Sequence, residues 1–215
     1  MNYINTGELL LNRKKQSIAL TLIVVFILLC MLVFCYFFST ILIEGDSMEN
    51  TLHNGQHCLT LQKAFNVNRG DIVVIEVPDE KTAGTKNIVK RVIAISGDKL
   101  IFMYNVNYTT VETYICKKGD KYFKKLNESY IKEPMSPNNF YTNQNQIMQY
   151  DSELISYNLD TIDHQTYAKI DKYITYVPKN NVFFMGDNRN VSRDSRYYGT
   201  RSLSNVKYKV LSVFY

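Results

Sequence analysis

The sequence predicts one N-terminal transmembrane helix followed by a mostly β domain. Three observations predict it. A long apolar run contains no charge. Several later segments are short, rich in β-branched residues and alternating. Glycine-containing turns separate those segments.

The run comes first. No charged residue occurs between Lys15 and Glu44, and the 22 residues Ser17–Phe38 are almost wholly apolar. As a helix they span roughly 33 Å, enough for a bilayer core of about 30 Å. Arg13, Lys14 and Lys15 precede the run, and no comparable basic cluster follows it closely. The positive-inside rule then keeps residues 1–16 cytoplasmic, makes 17–40 the anchor and places 41–215 outside the cell membrane. A cleaved signal sequence is the rival. Its apolar core is shorter, about 7–15 residues, and ends at a small-x-small site. Here the run leads into Ser39-Thr40-Ile41-Leu42-Ile43, which has no Ala-x-Ala.

Strands follow. Asp71–Val77, Ile88–Ile95, Tyr173–Val177 and Val182–Met185 carry the β signal. Arg69-Gly70-Asp71, Ser96-Gly97-Asp98 and Lys118-Gly119-Asp120 read as turns, and Pro78 and Pro178 fit strand ends. Between about 102 and 172 Tyr, Asn, Gln, Lys and Ser become frequent and periodicity weakens. That stretch reads as a polar insertion into a core made of about 41–101 and 173–215. Asn138–Tyr150 reads as an exposed loop or polar strand. No strong amphipathic helix is expected beyond the anchor.

Composition narrows the function classes. The chain has 215 residues, net charge +5, 46% hydrophobic residues, 9 Gly, 4 Pro and 4 Cys. These values exclude a collagen-like, disordered or disulfide-dense chain. The basic residues are interspersed with acidic ones, so no nucleic-acid partner is expected. Cys30 and Cys35 lie in the apolar run. Cys58 and Cys116 lie beyond it, where an oxidising compartment would allow them to pair; free and buried is the simpler reading, since two cysteines alone say nothing about proximity.

Candidate chemistry sits in short blocks. Gly45-Asp46-Ser47-Met48 places a serine just beyond the bilayer, and a serine nucleophile needs a base. His53, His57 and His164 are one source, and spacing leaves a Ser-His-Asp arrangement open. None of the three sits in a motif resembling known triads. His53 and His57 as a metal pair would need a helix, which Asn54-Gly55 opposes.

Lys90 is the other source. On a strand, Lys90 and Arg91 point to opposite faces, so one reaches solvent and the other faces the packed side. An unperturbed lysine has a pKa of about 10.4, and service as a base needs it lowered by roughly 2–3 units. Burial among Ile88, Val89 and Val92 supplies that desolvation. A further block, Met185-Gly186-Asp187-Asn188-Arg189-Asn190-Val191-Ser192-Arg193-Asp194-Ser195-Arg196, suits a hydrogen-bonded network. It fails as a calcium loop because Ser192 and Tyr198 stand where Gly and Glu are needed.

In order, the apolar span, Gly45-Asp46-Ser47-Met48, Gly70-Asp71-Ile72-Val73, Lys90-Arg91-Val92 with Gly97-Asp98, and Gly186-Asp187-Asn188-Arg189 with Ser192-x-Asp194-Ser195-Arg196 resemble the type I signal peptidase (leader peptidase) family. The resemblance covers Ile41 to about Gly199, apart from the insertion. It implies a signal-peptidase-like β catalytic domain and a Ser/Lys endopeptidase that needs no metal or cofactor. Ser47 would be the nucleophile and Lys90 the general base. Ser192 would orient the Lys90 amine, Asp194 and Arg196 would support it as an ion pair, and Asp187 and Asn188 would hold the nearby turn. The Ser47 N–H would face the oxyanion. Some relatives add a serine hydroxyl at the position of Gly45, so a second donor there is absent or comes from backbone or water. Ile43, Met48, Leu52, Ile88 and Val89 would line shallow apolar pockets suited to Ala-x-Ala.

The partners implied are exported preproteins with their signal peptides, the lipid bilayer and the nearby export translocon. The family usually has Pro where Asn50 stands, which predicts a loosened turn. Two alternatives stay open: a specialised relative with a narrow client set, motivated by the insertion and Asn50, and an inactive membrane-anchored assembly factor.

Overall fold

The computed structural model describes residues 6–62, 66–139, 147–149, 151 and 153–214. The chain divides into two compact units at Ser39–Thr40.

The first unit is helical. Helix α1 (Thr6–Phe37) starts well before the apolar run and ends one residue short of its end. Its segment Arg13–Phe37 is 25 residues long with mean hydropathy 3.3, long and apolar enough to cross a membrane. Ile18, Leu22, Phe26, Leu29 and Phe34 are all exposed. A helix that is apolar all round suits lipid rather than a protein core.

Strand β1 (Phe38–Leu42) straddles the Ser39–Thr40 boundary, and the second unit continues through β2 (His57–Gln62), β3 (Ile72–Pro78) and β4 (Thr85–Ile95). After β4 the chain enters a second sheet through β5 (Lys99–Tyr104), β6 (Val111–Cys116) and β7 (Lys124–Lys125). Helix α2 (His164–Asp171) precedes β8 (Thr175–Tyr176). The chain then returns through β9 (Asn181–Met185), the short helix α3 (Ser195–Tyr198), β10 (Arg201–Ser202) and β11 (Val206–Phe214). The larger sheet has seven strands in the order β1-β2-β11-β3-β4-β9-β10, and the smaller has the order β7-β6-β5-β8.

Register explains how this frame serves the candidate residues. In the antiparallel pair β3–β4, Val73 lies opposite Lys90 and Ile72 opposite Arg91. In β4–β9, Arg91 lies opposite Met185, with an irregularity at Val92–Ala94. Lys90 and Arg91 are therefore carried by a strand paired on both sides. Gly186 follows directly from β9. Such a strand admits little slippage, because a one-residue shift would turn every side chain to the other face.

The stretch 102–172 contributes more order than its composition suggests. Phe102, Val111, Ile115 and Met135 share one apolar cluster with Ile93, Ala94, Phe183 and Met185 of the larger sheet and with Leu100 and Val177. A second cluster, with Met103, Phe123, Leu154 and Ile170, lies in this region apart from Ile101 and Ile174 at its edges. Helix α2 is absent from the sequence reading. Its signal is Asp163, whose carboxylate caps the helix by accepting from the Gln165 and Thr166 amides. Tyr173–Val177 yields only the two-residue β8, which pairs Lys99 with Tyr176 and Leu100 with Thr175. Within the expected Asn138–Tyr150 loop, residues 140–146 and 150 lie outside the described residues.

Glycine 97 turns β4 into β5 with φ +90°, a left-handed conformation that other residues adopt only with strain. Cys58 and Cys116 are free and buried in different apolar clusters. Burial pushes both thiols up, away from the reactive thiolate.

Candidate active site

Three segments build the site: the turn 44–54, strand β4, and the segment 186–196 that leaves β9. The turn winds into a helix-like loop in which the Thr51 and Leu52 amides both donate to Met48 O, at 2.7 Å each. It is anchored by Ile43, Met48 and Leu52, fully buried with Cys58. Ser47 sits on this anchored loop, half-buried.

Lys90 meets it from β4. The Lys90 Nζ lies 2.6 Å from Ser47 Oγ and 2.8 Å from Val89 O. In the ammonium form Nζ donates to both oxygens. In the neutral amine the first contact reverses, and the Ser47 hydroxyl donates to Nζ. Lys90 is only 3% exposed. Burial pushes its pKa down from the ordinary lysine value to about 8, against the opposing charges of Asp194 and Asp187 and with help from Arg196 and Lys86. A lysine in this state is neutral in a useful fraction near neutral pH.

The 186–196 segment is fastened to the nucleophile loop. The Asn188 amide donates to Ser47 O at 3.1 Å and its side chain donates to Asp46 O at 3.1 Å. Asn50 Nδ2 donates to Asp187 O at 2.9 Å, and the Thr51 hydroxyl donates to Asp187 Oδ2 at 2.5 Å. Arg91 donates to both carboxylate oxygens of Asp187, at 2.9 and 2.6 Å. Gly186 approaches so closely that a Cβ there would collide with Ser47 O and with Ser192. Asp194 is fully buried and accepts from Arg196 Nε and Nη2, each at 2.9 Å, and from the Gly186 amide at 3.0 Å. Burial alone would raise the Asp194 carboxyl, but the Arg196 guanidinium outweighs it and holds the group low.

A cleft of about 160 Å³ opens beside Ser47 and Lys90, lined also by Leu42, Ile43, Met48, Ile88 and Val89. It is small and partly apolar, as a site for short side chains requires.

Several expectations need correction. Lys90 and Arg91 are not divided between solvent and core. Lys90 reaches Ser47, and the Arg91 side chain is 12% exposed because Asp187 draws it inward. The Ser192 hydroxyl is buried and acts on the Asp194 carboxyl, which it helps hold low, rather than on Lys90; Val89 O is the second acceptor for Lys90. The Gly45 amide already donates to Asn54 Oδ1 at 2.9 Å, so it is not a free oxyanion donor. Leu52 is not in the cleft, because it is needed in the core beneath the loop cluster. Asn50 pins the turn to Asp187 rather than loosening it. Of the histidines, His53 pairs with Glu49 at 2.7 Å, and His57 and His164 open β2 and α2.

Arg91, Thr51, Gly186 and Arg189 have roles that the sequence reading leaves unassigned. Arg91, Gly186 and Arg189 lie inside the quoted motifs, so the signal is present. Glu128, whose carboxylate meets Arg189, carries none.

A family model described as signal peptidase, peptidase S26, matches residues 16–215. The chain belongs to this family. It is 29% identical over 169 residues to signal peptidase I of Streptococcus pneumoniae serotype 4, covering 77% of this chain and 76% of that protein. It is 31% identical over 192 residues to signal peptidase I P of Bacillus subtilis subsp. natto, covering 86% and 81%. A crystal structure of a signal peptidase I from Enterococcus faecalis V583 aligns at 24% identity and TM-score 0.37, covering 68% of this chain and 97% of that one. The S26 match runs through Ser47, Lys90 and the whole 186–196 segment, and it begins inside α1.

Proposed function

We propose that the chain is a membrane-anchored serine endopeptidase that removes signal peptides from exported preproteins after an Ala-x-Ala-like site. The observation that carries the mechanism is the 2.6 Å contact between Ser47 Oγ and a buried Lys90 Nζ. Neutral Lys90 takes the Ser47 hydroxyl proton as Oγ attacks the scissile carbonyl carbon. Negative charge develops on the carbonyl oxygen beside the Ser47 N–H, which has no acceptor among the described residues. Lys90 returns the proton to the departing amine, leaving an ester on Ser47. Lys90 then deprotonates a water that hydrolyses the ester. The substrate adds as an extended strand between 41–45 and 87–89, with its small side chains in the 160 Å³ cleft.

Arg13, Lys14 and Lys15 ahead of the apolar helix support a cytoplasmic N-terminus and a catalytic domain on the outer face, near the export translocon. The test is cleavage of an Ala-x-Ala preprotein by the detergent-solubilised full chain. Ser47→Ala and Lys90→Ala should each lower kcat at least about 10³-fold with folding intact. Activity surviving Lys90→Ala would overturn the lysine-base mechanism. An inactive wild-type chain on several preproteins would favour a narrow client set or an assembly role.

A further inference from the structure

Three arginines serve the 186–196 segment, buried Arg189 and Arg196 within it and half-buried Arg91 beside it, and each is matched by a carboxylate. Arg91 holds Asp187 and Arg196 holds Asp194, both within the motifs already described. Arg189 is different. Its side chain is 1% exposed, and its carboxylate partner is Glu128, from the stretch 102–172. Arg189 Nη1 donates to Glu128 Oε2 at 2.8 Å, and Nη2 donates to Oε1. The remaining guanidinium donor, Nε, reaches Gly186 O at 3.1 Å.

The same segment takes hold at two further points. The Arg91 guanidinium lies over the Tyr130 ring, 4.1 Å from its centroid, and the Tyr130 hydroxyl donates to Glu128 Oε1 at 3.0 Å. The Asn190 side chain donates to Pro134 O at 3.1 Å and accepts from the Ser136 amide at 2.8 Å. Residues 128–136 thus grip 186–196, which in turn grips the Ser47 loop through Asn188 and Asp187. A buried cation cannot be left without its counter-charge at small cost. Glu128 therefore does more than decorate a surface.

Building on the Ser47/Lys90 reading, we propose that Glu128 and Tyr130 are positioning residues for the peptidase reaction. Glu128 acts through Arg189 on Gly186, and Tyr130 acts through Arg91 on Asp187. Together they press Gly186–Asn188 against Ser47 and keep water from Lys90. The stretch 102–172 is then half of the scaffold that makes the catalytic geometry.

The experiment uses the full chain in detergent with an Ala-x-Ala peptide. It compares wild type, Glu128→Gln, Tyr130→Leu and Tyr130→Phe, with Ser47→Ala as control. Glu128→Gln keeps the shape and weakens the pair. Its kcat should fall about 10–100-fold, the range expected when reacting atoms are displaced by about 1 Å, with KM within about 2-fold. Tyr130→Leu should fall by about 3–10-fold and Tyr130→Phe by less, since the ring over Arg91 remains.

A second readout separates positioning from mere stability. The groups acting on Lys90 are Asp194 and Asp187, which raise its pKa, and Arg196 and Lys86, which lower it, all under the dominant effect of burial. Admitting water should move the acid limb of kcat/KM to higher pH in Glu128→Gln and Tyr130→Leu. A lowered melting temperature with kcat, KM and the acid limb unchanged at permissive temperature would overturn the proposal. If Glu128→Gln fails to fold, unchanged kcat and acid limb in folded Tyr130→Leu would overturn it equally. Activity in Ser47→Ala would instead defeat the underlying nucleophile assignment.

Discussion

The two halves of the β unit are held together by different forces. Around β4 and 186–196 the interior is charged: Lys90, Asp187, Arg189, Asp194 and Arg196 are all buried. In the second sheet the interior is apolar, with Ile101, Met103, Phe123 and Leu154 at its centre. A charged interior is stable only when every group meets its partner, so it tolerates one arrangement. An apolar interior tolerates several side chains of similar volume. The difference teaches where this protein places geometric precision, which is against Ser47, and where it places bulk.

Substitutions can sharpen that contrast. Asp194→Asn removes the carboxylate charge from a fully buried pair with Arg196. It should destabilise the fold by about 3–5 kcal/mol and also depress activity, as thermal melting and peptide cleavage would show. Phe123→Ala, in the apolar half, should cost a similar 3–5 kcal/mol. Its kcat should stay within about 3-fold of wild type below the melting point. If Phe123→Ala silenced the enzyme while still folded, the division between the halves would fail.

The pH profile gives a smaller effect. Lys90 must be neutral to accept the Ser47 proton, and burial sets its pKa at about 8. Below that value kcat/KM should rise about tenfold per pH unit, and it should level off above it. The sign for stability follows from the same shift. The folded pKa is lower than the unfolded one, so the unfolded chain binds more protons between about pH 8 and 10 and stability rises with pH there. Lys90→Met, inactive, should melt higher than wild type at pH 7.

Asn50→Ala should have the smallest effect. It deletes one half-buried hydrogen bond to Asp187 O, worth about 1 kcal/mol. A change in kcat beyond about 10-fold would show that this single link, rather than the Asn188 contacts, sets the position of Ser47.

Much of this was legible in the chain itself. The charge-free run marks α1, and β3, β4 and β9 follow their runs of β-branched and aromatic residues, because such residues favour strands buried between neighbours. Ser47 and Lys90 stand out only through the order of their motifs, since 43 positions separate them. Helix α2 was open to reading through Asp163, a capping residue that acts within one turn. Gly45, Leu52 and Ser192 are harder, because a backbone amide, a core contact and a hydroxyl direction depend on neighbours far along the chain.

The sequence by itself determined a segment long and apolar enough to cross a membrane, the mostly β unit after it and the residue types of the site. These rest on local spacing, charge and composition. Only the tertiary structure decided that Lys90 is buried against Ser47, that Asn50 ties the nucleophile loop to Asp187, and that Glu128 completes the charge matching around 186–196. Desolvation and charge pairing act through space between distant segments, and no pattern along the chain records which carboxylate will meet which buried arginine.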